Sequence, residues 1–247
     1  MPHSALDFSR RAQLSERMDE PCTREELRAC LHDISRLNQW LLGYRPTLDW
    51  MDSLSLGRFV EPIRILDVGC GYGDTLRRVE QWARQRGIAV ELIGLDLNPD
   101  ATAIAAEVSA HQSHSETGKS QIEWVAADVF SYDPAAPVHL VISSLFAHHL
   151  SDSEVVRFVR WMERQAVIGW FINDLSRAAI PYHLLGWFSG LMRLHPFVRN
   201  DGPVSILRAF QPQDWRRLCA SAGLAGNQYT IVSYKPARLC VSRGRMR

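Results

Sequence analysis

The chain has 247 residues, of which 46% are hydrophobic and 22% are charged, and its 28 Lys and Arg against 27 Asp and Glu leave a net charge of +1. A chain of this length can bury a large core without disulfides or structural metals. The balanced charge argues against a protein that binds nucleic acid through its phosphate backbone, which needs a basic excess. The five cysteines form no C-x-x-C pair, so we expect no metal site, no disulfide framework and a cytoplasmic location.

Residues 1–58 are predicted to form an N-terminal helical cap. The first 20 residues are polar and predict a frayed end. Thr23-Arg24-Glu25-Glu26 then fits a capping box, in which side chains satisfy the free backbone N–H groups of a helix start. Leucine and isoleucine recur at helical spacing from Leu27 to Leu41, and Gly43 and Pro46 predict the end of this helix. Its apolar face should pack against the rest of the chain.

Residues 59–247 are predicted to form one domain in which short apolar runs alternate with amphipathic stretches. Strands are predicted at 64–69, 90–95, 122–125, 138–144, 167–172, 228–234 and 238–242. Helices are predicted at 74–86, 99–110, 151–165 and 213–222, with a polar loop at 111–120. This alternation predicts an α/β fold of the Rossmann-like, doubly wound type, with a mostly parallel seven-stranded sheet and helices on both faces.

A helical insertion at residues 175–210 interrupts this alternation after the fifth strand. Its segment Ala178–Val198 is apolar and nearly as long as a membrane span, but Arg193, two histidines and two prolines interrupt it, so we predict no membrane span. We expect a lid-like wall of an acceptor pocket. A homodimer interface and plain core packing are the alternatives. Asp201-Gly202-Pro203 predicts a turn.

A glycine-rich segment, Asp67-Val68-Gly69-Cys70-Gly71-Tyr72-Gly73-Asp74, joins the first predicted strand to the next helix. Glycines there let the backbone turn sharply and approach a ligand beside the positive end of the helix. Asp96 ends the second strand, where a carboxylate can accept hydrogen bonds from both ribose hydroxyls. The dinucleotide fingerprint G-x-G-x-x-G is absent, and Asp74 would repel a pyrophosphate. A cofactor with a ribose and no pyrophosphate points to S-adenosylmethionine.

These motifs, together with Ala127-Asp128-Val129, resemble those of class I S-adenosylmethionine-dependent methyltransferases, and the resemblance runs from about residue 60 to the end. It implies that the first glycines line the methionyl part of the cofactor, that Asp128 binds the adenine amino group and that Val129 packs on the adenine ring. The cofactor contacts that we expect on this basis are Asp67, Gly69, Cys70, Gly71, Asp96, Leu97, Asp128, Val129 and Ser144.

Two adjacent histidines, His148 and His149, follow the fourth strand and precede the capping box Ser151-Asp152-Ser153-Glu154. Ligands of open α/β sheets bind outside the carboxyl ends of the strands, so these histidines should lie at the reactive edge. Methyl transfer needs a lone pair on the acceptor, and a histidine with a pKa of roughly 6.5 is a suitable base. We therefore predict His148 and His149 as catalytic residues. The alternative is that both are structural, and the sequence leaves open which one faces the pocket.

The acceptor is predicted to be a small, largely apolar molecule. Ser143-Ser144-Leu145-Phe146 lacks the prolines that amino-methylating enzymes of nucleic-acid bases carry after the fourth strand, and residues 175–200 lack the acids that a polyamine would need. We expect acceptor contacts from Asn173, Tyr182, His183 and Trp187.

Residues 173–177 and 201–210 resemble bacterial methyltransferases, several of which accompany polyketide or quinone biosynthesis. That resemblance implies secondary metabolism and O-methylation of a phenolic, quinol or polyketide-like hydroxyl. C-methylation of a similar ring is one alternative. A non-catalytic cofactor-binding or interaction protein of the same fold is the other.

Overall fold

A seven-stranded sheet forms the centre of the computed structural model, which describes residues 7–113, 122–191 and 194–244. Its strands are β1 (Ile63–Val68), β2 (Val90–Asp96), β3 (Ile122–Ala126), β4 (Val138–Ser144), β5 (Ala166–Leu175), β6 (Thr230–Tyr234) and β7 (Arg238–Gly244). The strand order is β3-β2-β1-β4-β5-β7-β6, and β7 runs antiparallel to both of its neighbours while the other pairs are parallel. The predicted fold class is confirmed.

Eight α-helices are present in the described residues. They are α1 (Arg24–Trp40), α2 (Arg45–Ser53), α3 (Asp74–Arg86), α4 (Pro99–Ser113), α5 (Asp152–Gln165), α6 (Ala179–Leu191), α7 (Pro196–Arg208) and α8 (Pro212–Ser221). Of the predicted polar loop at 111–120, residues 111–113 belong to α4 and the rest lie outside the described residues. The sequence did not predict α2. Pro46 lies in its first turn, where the missing N–H of proline costs nothing.

Both predicted capping boxes are present. The Thr23 side chain accepts a hydrogen bond from the backbone N–H of Glu26, whose carboxylate accepts one from the N–H of Thr23. Ser151 and Glu154 form the same reciprocal pair at the start of α5. These boxes depend on residues three positions apart, which explains why the sequence alone located both helix starts.

Neighbouring residues of β1 belong to different hydrophobic cores on the two faces of the sheet. Leu66 joins a core that includes Phe158 of α5 and Trp215 of α8. Ile65 joins a second core that includes Met51 of α2 and Val79 of α3. Because side chains alternate along a strand, the sheet is covered by helices on both faces.

The insertion after β5 contains α6 and α7, and the turn predicted at Asp201-Gly202-Pro203 is wrong. These residues lie inside α7, where Pro203 contributes no backbone donor. The carboxylate of Asp201 accepts hydrogen bonds from the backbone N–H groups of Arg17 and Met18, both at 3.0 Å. Tertiary contacts therefore outweigh the local turn preference. Within the described residues, the helices are too short or too polar to cross a bilayer.

Candidate active site

A cavity of about 530 Å³ lies at the carboxyl ends of β1, β2 and β4. The glycine loop between β1 and α3 forms one side, and α1, α6 and α7 form much of the rest. Its apolar wall is contributed mainly by Met18, Leu27, Leu31, Ile34, Leu37, Leu41, Leu184, Leu185, Trp187, Val198 and Ile206. The predicted cap and the predicted insertion thus both enclose the same space.

The glycine loop has backbone conformations that other residues rarely adopt. Gly69 has φ +72°, and a Cβ atom there would lie 2.6 Å from the Phe146 ring. Gly71 has φ +48° and lines the cavity, and its N–H donates to Oδ2 of Asp96 at 2.9 Å. The loop therefore presents backbone and one strand-end carboxylate to the cavity, as a ribose-bearing ligand would require.

Acidic groups surround this loop. Burial raises the pKa of Asp96, while hydrogen bonds from the N–H groups of Asn98 and Gly71 act against the increase. Burial, with help from the charges of Asp74 and Asp96, raises the pKa of Asp67 well above its usual value. Oδ1 of Asp67 has no hydrogen-bond partner among the described residues. A pyrophosphate would be repelled here, whereas a cofactor that carries a positive charge fits.

The structure divides the predicted cofactor contacts into two groups. Those that line the cavity are Gly69, Cys70, Gly71, Asp96 and Ser144. Asp67, Leu97, Asp128 and Val129 are not part of its wall. Asp67 and Val129 are buried in the protein, whereas Leu97 is exposed. The Asp128 carboxylate accepts a hydrogen bond from the backbone N–H of Phe130. The cofactor contacts of both groups stay predictions.

His148 is a buried histidine whose orientation is determined by Asp174. The backbone N–H of His148 donates to Oδ2 of Asp174 at 2.9 Å, and its ring Nδ1 lies 2.7 Å from Oδ1. Burial by itself would raise the pKa of Asp174, but the charge and ring hydrogen bond of His148 and the N–H of Leu175 hold that pKa below its usual value. An ionised Asp174 accepts a hydrogen bond from Nδ1–H of His148, and in the neutral form of the ring this leaves the lone pair on Nε2.

His149 and Glu16 lie beside this imidazole. The two histidine rings are 4.3 Å apart between centroids. Oε1 of Glu16 is 3.8 Å from Nε2 of His148, and Oε2 is 3.9 Å from Nε2 of His149. All three residues line the cavity, which answers the question that the sequence left open: both histidines border it.

The same three residues have donor atoms within 4.8 Å of one another, close enough to hold a metal ion. Two imidazoles and a carboxylate are ligands that Zn²⁺ and Fe²⁺ accept. However, the guanidinium of Arg208 lies 3.5 Å from Oε1 of Glu16 and already offsets its charge. A divalent cation would be repelled by that guanidinium, so we favour hydrogen bonding as the role of this group.

Of the four predicted acceptor contacts, Trp187 lines the cavity and the other three do not, so acceptor binding by any of them stays a prediction. Asn173 lies inside β5, 1% exposed, and its amide donates to Gly43 O at 2.7 Å and Thr47 Oγ1 at 3.1 Å instead of reaching the cavity. The predicted strand ended at residue 172, whereas β5 continues to Leu175 because β7 pairs with it. Tyr182 packs edge-on against Phe8.

His183 is exposed and is not part of the cavity wall. On a helix, side chains three or four positions apart share a face, and Leu184 and Trp187 occupy the cavity side of α6. Trp187 lines the cavity and is 66% exposed. The sequence missed Glu16, which belongs to the segment predicted to be frayed, and no local pattern marks it.

Comparisons with known proteins agree with this geometry. Residues 65–166 match a family model described as a methyltransferase domain. The matched residues run from β1 to the first residue of β5 and include the glycine loop and both histidines. A trans-aconitate 2-methyltransferase of Streptomyces avermitilis is 33% identical over 85 residues, which span 34% of this chain and 28% of the relative's length.

Two solved structures share the fold of this chain. One is magnesium protoporphyrin IX methyltransferase from Synechocystis PCC 6803 with bound S-adenosylmethionine, at 14% identity, TM-score 0.53 and coverage of 83% of this chain and 81% of that one. The other is the plantazolicin methyltransferase with S-adenosylhomocysteine, at 12% identity, TM-score 0.60 and coverage of 90% and 96%.

Proposed function

We propose that this protein transfers a methyl group from S-adenosylmethionine to a hydroxyl oxygen of a small, largely apolar acceptor of the phenolic, quinol or polyketide-like kind. The observation that carries the proposal is the His148–Asp174 pair, which directs an imidazole lone pair into an apolar cavity beside the glycine loop. The five free cysteines fit a reducing compartment such as the cytoplasm. A homodimer through α6 stays a prediction.

The charges of the cavity wall favour a hydroxyl over a carboxylate acceptor. Glu16, Asp74, Asp96 and Asp201 line the cavity. Arg238 also lines it, but its guanidinium donates to Oδ1 of Asn38 at 2.5 Å. An anionic acceptor such as a tricarboxylate would meet several carboxylates in a site of low polarity, which is costly. The curated relative named for trans-aconitate is therefore a poor guide to the acceptor of this chain.

The chain's own residues would supply orientation and proton removal. S-adenosylmethionine supplies an electrophilic methyl group on a sulfonium. Nε2 of His148 accepts the proton of the hydroxyl as its oxygen attacks, and the carboxylate of Asp174 stabilises the imidazolium that results. The apolar wall keeps water from competing as a nucleophile. Orientation can account for roughly 7–11 kcal/mol of barrier reduction, more than the 10²–10⁴-fold effect of a base.

The test is turnover with a panel of alkyl phenols, hydroquinones and trans-aconitate, measured as release of S-adenosylhomocysteine. We expect turnover of hydroxyl compounds and none of trans-aconitate. His148→Ala should lower turnover by about 10²-fold and leave the affinity for S-adenosylhomocysteine unchanged, because the imidazole acts on the acceptor. Cofactor binding without turnover across the panel, or methylation of the carboxylate alone, would overturn the proposal.

A further inference from the structure

Arg238 places a buried positive charge in the wall of the cavity. It is the first residue of β7, is 7% exposed and lines the cavity. Its guanidinium donates to Asn173 O at 3.3 Å and to Oδ1 of Asn38 at 2.5 Å, and both acceptors are neutral. Among the described residues, no carboxylate forms an ion pair with this guanidinium. Because a buried charge without a counter-charge is costly, this part of the wall favours an anionic ligand group.

The guanidinium of Arg238 keeps donors for such a ligand. Arginine carries more N–H donors than these two bonds use, and it stays protonated at neutral pH. Burial lowers the pKa of Arg238, while the charges of Asp174 and Asp74 act against the decrease. Nε of Arg238 donates to no described residue and is not fully buried. A carboxylate can accept from two neighbouring N–H groups of a guanidinium at once, which makes this pairing a strong one.

Asn38 connects this guanidinium to the glycine loop. Its Oδ1 accepts from Arg238, and its Nδ2 donates to Oδ2 of Asp74 at 3.4 Å. Asp74 is the first residue of α3 and directly follows Gly73. The hydroxyl of Tyr44 donates to the same Oδ2 at 2.5 Å. Arg238, Asn38 and Asp74 all line the cavity, so its wall beside the loop has a basic side chain on one side of Asn38 and an acidic one on the other.

We propose that Arg238 binds the α-carboxylate of the methionyl part of S-adenosylmethionine. This inference rests on the cofactor of the proposed function. The methionyl part is predicted to lie along the glycine loop, and its end carries a carboxylate and an ammonium group on one carbon. These two charges are complementary to Arg238 and Asp74, respectively. Because the cofactor takes up the charge of Arg238, this residue does not attract an anionic acceptor, which agrees with a hydroxyl compound as the acceptor.

The experiment compares S-adenosylhomocysteine with its decarboxylated analogue, which keeps the adenosine, the sulfur and the amine but lacks the carboxylate. The binding of each ligand to the full chain is measured by calorimetry without an acceptor. The wild-type protein should bind S-adenosylhomocysteine about 10-fold or more tightly than the analogue, as expected for hydrogen bonds between charged groups. The acidic residues of the cavity wall, such as Asp74 and Asp96, favour the more positive analogue, so they cannot produce this preference.

Arg238→Gln should reduce the preference to less than about 3-fold by weakening the binding of S-adenosylhomocysteine alone. Unchanged affinity for the analogue shows that the variant is folded and that the rest of the site is intact. Arg238→Lys keeps the charge without the planar fork that binds a carboxylate through two bonds, so it should retain part of the preference. Arg243→Gln is the matched control, because Arg243 belongs to the same strand, lies 2.6 Å from Oε2 of Glu163 and does not line the cavity. It should keep the wild-type preference.

Equal binding of the two ligands by the wild-type protein would overturn the inference, as would the full wild-type preference in either Arg238 variant. If trans-aconitate binds to the protein saturated with S-adenosylhomocysteine and Arg238→Gln abolishes that binding, the guanidinium binds an acceptor carboxylate and the inference fails as well. The hydroxyl panel tests the proposed function separately. If no panel compound is methylated while the preference for S-adenosylhomocysteine holds, the proposed function fails and the role of Arg238 stands.

Discussion

Replacement of Asp174 by asparagine tests the central pair of the site most directly. The asparagine amide would direct an N–H toward Nδ1 of His148, which moves the ring proton to Nε2 and removes the lone pair from the cavity. We expect turnover to fall by about 10²–10⁴-fold, because a base in the wrong tautomer cannot accept the proton. Affinity for S-adenosylhomocysteine should stay unchanged, since Asp174 is not part of the cavity wall.

The same substitution should lower stability. Asp174 accepts hydrogen bonds from His148 Nδ1 and from the backbone N–H groups of His148 and Leu175. Each bond to a charged group contributes about 1.5–3 kcal/mol, so one lost bond costs about that much free energy of unfolding at pH 7. Because the pKa of Asp174 is lowered, this contribution is present above the unfolded pKa of about 3.9 and disappears as pH falls through the lower folded pKa.

The assay is turnover at saturating acceptor for Asp174→Asn, His148→Ala and the double variant. If Asp174 acts through His148, the turnover of the double variant should lie within about 2-fold of the turnover of the slower single variant. Asp52→Asn is the control, since Asp52 bonds to Trp82 and Arg86 outside the cavity and its loss should affect stability alone. Folded Asp174→Asn with turnover within about 3-fold of wild type would refute the reasoning.

Two further predictions concern the acids around the glycine loop. Asp96→Ala should weaken binding of S-adenosylhomocysteine at least 10-fold in calorimetry, because two ribose hydroxyls lose a charged acceptor; unchanged affinity would contradict the predicted cofactor position. Asp67→Asn should become more stable relative to wild type as pH rises from 4 to 8. The pKa of buried Asp67 is raised in the folded state, so ionising this carboxyl above the unfolded pKa of about 3.9 lowers the stability of the wild-type protein. Denaturant unfolding at both pH values measures this, and a difference that does not depend on pH would refute it.

Much of the fold could be predicted from sequence because its signals are local. The predicted bounds of α3 are confirmed. A glycine in the left-handed conformation flanks each end, Gly73 before Asp74 and Gly87 after the last residue. The glycine loop and Asp96 were found for a similar reason: each lies at the end of a buried strand, and parallel strands bring these ends together. The antiparallel direction of β7 and the full length of β5 needed the partner strand, which no local pattern reports.

The sequence by itself determined most helix starts, the mostly parallel sheet, the glycine loop after β1 and the position of two histidines after β4. Only the tertiary structure decided what those histidines face. Asp174 lies inside β5, where pairing with β7 buries it beside His148. Glu16 comes from a polar segment without periodicity and reaches the cavity because Arg11 and Asp201 anchor that segment across it. Such contacts join segments that are far apart along the chain, so no regular spacing of residues in the sequence reveals them.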